Sequence, residues 1–215
     1  SNLTLSSGGA FSTTGTLAGK DVSLTGSSGV TLNHDVTAAG SLSITTSNAK
    51  VEQLAGRVLS TGATSLSAGT GDITLSATAN DFQSVVSTTA RNLTLRDTNG
   101  LALGASTLTG TATLTAGGAV TQTGAVTIAG TTGISAAGQD VTLDNIANDF
   151  GGAVSTTARN LTLRDTNALA IGTSTLTGNA SLISGGALTQ TGAVTIAGTT
   201  GISAAGQDVT LDNTA

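Results

Sequence analysis

Residues 80–147 read NDFQSVVSTTARNLTLRDTNGLALGASTLTGTATLTAGGAVTQTGAVTIAGTTGISAAGQDVTLDNIA, and residues 148–215 repeat this stretch without insertion or deletion. The two 68-residue copies differ at 12 positions, and most differences exchange side chains of similar size, such as Leu103 with Ile171 or Thr113 with Ser181. An array this regular indicates a repeat architecture, in which each unit packs against its neighbours.

Short apolar units recur within each copy. We count nine units in a copy, 6–8 residues apart except for a gap of 13 between Val141 and Val154. Many read apolar-Thr-apolar, as in Leu93-Thr94-Leu95, and this alternation is typical of a strand with one buried face. Gly, Asn, Asp and Ser between the units favour turns. The sequence therefore predicts an all-β protein.

The spacing of the units leaves only 2–4 residues for each corner. A sandwich or a barrel is the alternative, but a fixed offset between near-identical copies favours a solenoid. Nine units make three coils of three strands, so we predict a three-sided parallel β-helix of about ten coils, roughly 50 Å long at about 4.8 Å per coil. The predicted coils of roughly 19–27 residues start at Leu3, Val22, Leu42, Leu66, Leu93, Leu114, Ile134, Leu161, Leu182 and Ile202.

The alternation also predicts which side chains face the core. Residues predicted to point inward are Leu93, Leu95, Leu114, Val126, Ile128, Val141 and Leu143, and those predicted to point outward are Thr94, Thr127 and Thr142.

The two 27-residue coils each contain an Asn-Asp-Phe motif, which we interpret as part of a loop. The loops span Ala77–Asp81 and Asp144–Gly152. Phe82 and Phe150 are predicted to cap the edge of the core beneath them, with stacking on a ligand as the alternative. Since loops on a rigid scaffold often carry recognition, the candidate interaction residues are Asn80, Asp81, Asn148 and Asp149.

The chain is predicted to form one β-solenoid over residues 1–215. Residues 1–70 are diverged coils, and residues 71–147 and 148–215 hold the near-identical copies. Both termini fall inside the repeat pattern, so we expect a fragment of a longer array. Disorder is the alternative for a chain with 30 Gly, but the regular apolar positions argue against it.

Composition argues against several classes of function. The net charge is −5, with 7 Lys and Arg and only 3 aromatic residues, so no basic or stacking surface for nucleic acid is expected. No apolar run is long enough to predict membrane insertion. The single His and the absence of Cys predict no metal, cofactor or catalytic site, and we expect a protein that is not an enzyme.

The charged residues have simpler interpretations. His34 and Asp35 are predicted to lie in a solvated turn. Asp residues at strand ends, such as Asp140, are predicted to bond their own backbone, and Arg91, Arg96 and Asp97 are predicted to form local ion pairs. Thr-x-Thr units such as residues 107–109 are also typical of ice-binding proteins, although unequal coils would interrupt the flat rank of Thr that this function needs.

Several runs resemble the repeats of filamentous-haemagglutinin-like exoproteins of Gram-negative bacteria. These runs are GQDVTLDN, ANDFGGAVS and RNLTLRDTNAL. The resemblance covers residues 71–215 well and the first 70 loosely. It implies a right-handed β-helix, two-partner secretion, display outside the cell or at its surface, and a role in adhesion, biofilm formation or contact-dependent competition.

We therefore expect a stalk that carries a binding tip away from the cell. The expected partners are another protein or a glycan at a surface, or further copies joined through the coil ends. The alternative function is a structural protein that polymerises by end-to-end stacking, because an open strand edge can template pairing.

Overall fold

The computed structural model describes residues 1–212, and within them every regular element is a β-strand. The strands, in chain order, are β1 (Leu3–Ser7), β2 (Phe11–Ser12), β3 (Leu17–Gly19), β4 (Val22–Gly26), β5 (Val30–Leu32), β6 (Val36–Ala38), β7 (Leu42–Thr45), β8 (Val51–Gln53), β9 (Val58–Ser60), β10 (Thr64–Ser67), β11 (Ile73–Leu75), β12 (Asp81–Phe82), β13 (Val85–Ala90), β14 (Leu93–Asp97), β15 (Leu101–Leu108), β16 (Ala112–Ala116), β17 (Val120–Gln122), β18 (Val126–Ile128), β19 (Thr132–Ala136), β20 (Val141–Leu143), β21 (Asp149–Phe150), β22 (Val154–Ala158), β23 (Leu161–Asp165), β24 (Leu169–Ile171), β25 (Ser174–Leu176), β26 (Ala180–Ser184), β27 (Leu188–Gln190), β28 (Val194–Ile196), β29 (Thr200–Ser203) and β30 (Val209–Thr210).

Each strand pairs in parallel with a strand one coil away, and the chain closes a coil with three strands. Side 1 contains β1, β4, β7, β10, β13, the end of β15, β18, β21, β24, β27 and β30. Side 2 contains β2, β5, β8, β11, β14, β16, β19, β22, β25 and β28. Side 3 contains β3, β6, β9, β12, the start of β15, β17, β20, β23, β26 and β29. The predicted three-sided parallel β-solenoid of about ten coils is confirmed.

β15 bends around one corner, and this bend joins two sides into one hydrogen-bonded sheet. Its first residues pair with β17 on side 3 and its last with β18 on side 1. β22 joins sides 1 and 2 in the same way through its pairs with β24 and β25. As a result the described strands form two 13-stranded sheets and one 4-stranded sheet.

The interior follows the alternation seen in the sequence. All seven side chains predicted to point inward are buried, and Thr94, Thr127 and Thr142 lie in the outward position of their strands. The core is a single column of Val, Leu, Ile, Ala and two Phe side chains. Burial of this apolar surface, at about 25 cal/mol per Å², is the main term that holds the coils together.

The predicted coil lengths are wrong at two places. Paired residues are between 17 positions apart, as for Val85 and Ala102, and 22 apart, as for Leu42 and Thr64. Leu66 pairs with Thr88, and not with the position of Leu93. The two 27-residue coils are absent because the Asn-Asp-Phe segments, interpreted as loops, contain strands β12 and β21, each of which fills one side of a coil.

The additional strand segment in each copy determines how the two copies are arranged in space. Residues 80–147 contain the nine strands β12 to β20, and because β15 fills two sides of the rod they make ten strand segments, which is three coils and one further side. The second copy therefore starts one side further round the rod. Leu93 and Leu95 lie in β14 on side 2, whereas their equivalents Leu161 and Leu163 lie in β23 on side 3.

Candidate functional site: the Asn-Asp-Phe corners

Each Asn-Asp-Phe motif follows a short exposed turn and ends in a buried strand. Before β12, Thr78 and Ala79 are exposed; before β21, the exposed residues include Asp144 and Ile146. Ile146 is 73% exposed, an unusual environment for a large apolar side chain. These exposed turns are the part of each predicted loop that lies outside the strands, since Asp81 belongs to β12 and Asp149 to β21.

The two Asn residues are buried, so they cannot themselves form a contact surface. The Asn80 side chain accepts hydrogen bonds from the Val58 backbone N–H and from Gln53 Nε2, both at 2.8 Å, and donates to Gln53 Oε1 at 2.8 Å. Asn80 and Gln53 thus form a closed amide pair between adjacent coils. A buried amide that makes all these bonds fixes the register of the coils at little desolvation cost.

The second copy makes the same pair one side further round the rod. Asn148 Oδ1 accepts from Gln122 Nε2 at 2.7 Å and from the Val126 N–H at 3.0 Å, and Asn148 Nδ2 donates to Gln122 Oε1 at 2.9 Å. We call these two pairs the amide latches. Sequence reasoning missed them, although Gln precedes Asn by 27 residues in one case and by 26 in the other.

Phe82 and Phe150 are each 1% exposed and belong to the core, as predicted for residues beneath the turns. Their backbone N–H groups donate to the carboxylates of Asp97, at 3.2 Å, and Asp165, at 3.1 Å. Burial of these side chains leaves no aromatic surface at the two corners for a ligand to stack on.

Two carboxylates meet beside each Phe. Asp97 is 1% exposed and also accepts from the Asn99 N–H at 2.9 Å. Burial raises the pKa of Asp97 above its ordinary value, the backbone donors oppose this, and Asp81 adds a small further increase. The same causes raise the pKa of Asp165, with Asp149 as the neighbour. The half-buried Asp81 accepts from Gln83 Nε2 at 2.9 Å and from Asn99 Nδ2 at 3.2 Å.

The predicted local ion pair between Arg96 and Asp97 does not form, because Asp97 points inward to backbone donors. Arg91 instead pairs with Asp72 on the preceding coil through Nε at 2.9 Å and Nη2 at 2.7 Å. Asp140, predicted to bond its own backbone, receives Arg159 in the same way and also accepts from Asn160 Nδ2 at 2.9 Å. These Asp–Arg–Asn contacts, which we call the carboxylate clamps, hold successive coils together at the surface.

His34 and Asp35 lie in a turn, as predicted, and Asp35 accepts from the Arg57 N–H at 2.9 Å. Within residues 1–212, no group of three or more His, Cys, Asp or Glu side chains is placed to hold a metal ion. The same part of the chain has no helix that combines the length and apolar character needed to cross a membrane.

The four candidate residues do not converge on one site. Asp81 lies on side 3 and Asp149 on side 1, and about three coils of the rod separate them. Each corner offers a projecting turn beside a half-buried carboxylate. A surface groove of about 230 Å³ starts at one turn and is lined by Ile146, Arg164 and Ile183, among others.

Comparison with known proteins identifies one family. Three consecutive segments, residues 19–89, 90–157 and 158–215, match the model of a family described as repeats of unknown function (DUF5649). The first match extends the array into the coils that the sequence showed as diverged. No curated protein and no solved structure matches the chain.

Proposed function

The chain belongs to this family of repeats, and from that premise we propose that it is a non-catalytic stalk segment of a large bacterial cell-surface adhesin. The observation that carries the proposal is the continuous parallel strand pairing along the rod, because one chain of paired strands runs from β1 to β29 and another from β2 to β30. To bend such a rod, backbone hydrogen bonds and core contacts must break together. A stiff spacer is the function that this geometry supports best.

The contacts between coils add to that stiffness. The amide latches lock neighbouring coils from within, and the carboxylate clamps lock them at the surface. The Asp72 and Asp140 clamps are bidentate, and this geometry holds a side chain in one direction better than a single contact does. A chain built to bind by adapting its shape would not need these fixed contacts at each copy.

The proposed location is outside the cell or at the surface of a Gram-negative bacterium, as the resemblance to filamentous-haemagglutinin-like proteins implies. The proposed partner is another protein or a glycan at a surface. The outer face carries many Ser and Thr and few charged side chains, and it suits weak contacts that add up over many copies. The projecting turns before β12 and β21 are the parts of the rod best placed to touch such a partner.

The length of the stalk can be changed cleanly, because residues 148–215 can replace residues 80–147 without a new junction. Variants of the surface protein with one copy fewer or one copy more should shift the tip by about 16 Å, as measured by electron microscopy of a tip-bound antibody. Attachment of cells to a target surface should change with the length of the stalk. The affinity for soluble target should not change.

Two results would overturn the stalk proposal. If the purified array of residues 1–215 attaches to target surfaces and removal of the two turns abolishes this, the array is itself the binding module. If the purified array forms long filaments that shorten when its end strands are capped, end-to-end polymerisation is the better description.

A further inference from the structure

We infer that Asn99–Gly100 is a site of spontaneous covalent modification, at which the Asn side chain deamidates to aspartate and isoaspartate. This is the one Asn-Gly pair in the sequence. Both residues are exposed at the corner between β14 and β15. The second copy has Asn167–Ala168 at the equivalent corner, between β23 and β24, and this pair serves as an internal control.

The reaction needs a free backbone nitrogen after the Asn. The Gly100 nitrogen attacks the side-chain carbonyl carbon of Asn99, a C–N bond forms to close a succinimide ring, and the C–NH2 bond breaks. Ammonia leaves with the proton from the Gly100 nitrogen. A water molecule from the solvent then opens the ring at either carbonyl, giving aspartate or isoaspartate. Gly favours the attack because it has no Cβ to obstruct the approach or restrict the backbone.

The coil structure protects most other Asn residues from this attack. The N–H after Asn92, that of Leu93, donates to Thr111 O at 2.9 Å, and the N–H after Asn160, that of Leu161, donates to Asn179 O at 2.9 Å. Asn80 and Asn148 are buried in the amide latches. In the described chain the Gly100 N–H donates no hydrogen bond, because Gly100 lies just before β15, whose ladder begins with Leu101.

Deamidation of Asn99 would also change the contacts that this residue makes at the corner. Asn99 Nδ2 donates to Asp81 Oδ1, and the Asn99 N–H donates to Asp97 Oδ1. Deamidation replaces that side-chain donor with a third carboxylate beside two others, and like charges at this distance repel. Isoaspartate also lengthens the main chain next to Asn99 O, which accepts from the Gly118 N–H at 2.7 Å. The modification therefore loosens the bond between two coils.

The test is a reciprocal exchange of the residue after Asn. The intact chain, Gly100→Ala, Ala168→Gly and the double variant are incubated folded at mildly alkaline pH, cleaved before Asp97 and Asp165, and analysed by mass spectrometry. Gly100→Ala is tolerated by the fold, because Ala168 occupies the same place in the second copy. Asn99 should deamidate several-fold faster than Asn167 in the native sequence, and the two rates should exchange in the double variant.

Two outcomes would overturn the inference. Equal rates at Asn99 and Asn167, or rates that do not follow the Gly, would show that the following residue does not control the reaction. Deamidation in urea but not in the folded chain would show that the corner protects Asn99. Loss of amide-exchange protection at Gly118 as the product accumulates is the expected structural effect, and unchanged protection would refute the loosening.

Discussion

Four buried Thr hydroxyls, those of Thr64, Thr88, Thr132 and Thr156, have no hydrogen-bond partner within residues 1–212. A buried polar group without a partner costs roughly 1–3 kcal/mol. Thr88→Val keeps the shape of the side chain and removes the hydroxyl, so it should raise the free energy of unfolding by about 1 kcal/mol. The midpoint of a urea titration measures this change.

Ser106 provides the matched control for Thr88. Its hydroxyl accepts from the Thr88 N–H at 3.2 Å and donates to Gly104 O at 3.2 Å, where β13 and β15 shift register. Ser106→Ala should therefore lower the midpoint, the opposite sign to Thr88→Val. If both variants shift the midpoint in the same direction, hydrogen bonding does not decide the stability of this corner.

Leu161 and Thr162 are neighbours on β23 with opposite orientation, since Leu161 is buried and Thr162 lies in the outward position. Leu161→Asp places a charge in the core where no partner is available, and this should destabilise strongly. Thr162→Asp should have a much smaller effect. Thermal melts of the two variants check the orientation, and equal shifts would contradict it.

Each amide latch joins two adjacent coils. Asn148→Ala leaves the buried Val126 N–H without its partner and removes one hydrogen bond from each group of the Gln122 amide, which keeps only Gly124 O and the Asn145 N–H. At roughly 1–3 kcal/mol for each unsatisfied group, this should open the corner locally, and hydrogen exchange at Val126 should accelerate. Asp149→Ala, one residue further and half-buried, is the control and should leave that exchange rate nearly unchanged.

The carboxylate clamps predict how stability depends on pH. The Arg159 hydrogen bonds lower the pKa of Asp140 from 3.8 to about 2. A lowered pKa in the folded chain adds stability above pH 3.8, and this is lost as pH falls from 3.8 through about 2. Asp140→Asn should therefore lower the melting temperature at neutral pH but not near pH 2. Asp144→Asn, at an exposed position, is the control and should leave the melting temperature at neutral pH nearly unchanged.

The elements differ in how far the sequence could predict them. Leu93-Thr94-Leu95 shows its orientation directly, because alternation is a local signal. Asp81-Phe82 forms a strand of two residues, too short to show any period, so the sequence suggested a loop. Gln53 and Asn80 meet only because the coil register brings them together, and an error of one side in that register hides the contact. Similarly, Asp72 forms its ion pair with Arg91 on the next coil and not with a residue of its own turn.

At the scale of the whole molecule, the length of one copy does not match a whole number of coils. Successive copies are therefore related by a screw operation, a rotation about the rod combined with a shift along it. Ten strand segments per copy advance the chain by three coils and one side. At about 4.8 Å per coil, this advance is roughly 16 Å along the rod. A surface feature that occurs once per copy therefore lies on a different side of the rod in each successive copy. A rod of this kind presents its exposed turns on all three sides, whereas a repeat of a whole number of coils would present them along one edge.

Site-directed labels can test this screw, because the chain has no Cys. Thr94 and Thr162 occupy equivalent outward positions in β14 on side 2 and β23 on side 3. A chain with Thr94→Cys and Thr162→Cys should place its two labels on different faces. The control pair is Thr94→Cys and Ser155→Cys, since Thr94, Thr113, Gly133 and Ser155 follow one another in register on side 2. The control pair is three coils apart on one side, and the Thr94–Thr162 pair is three coils and one side apart. The Thr94–Thr162 distance measured by electron spin resonance should therefore be the longer one. Equal distances would mean that the copies stack face over face, and the assignment of β12 and β21 as sides of the coil would then be wrong.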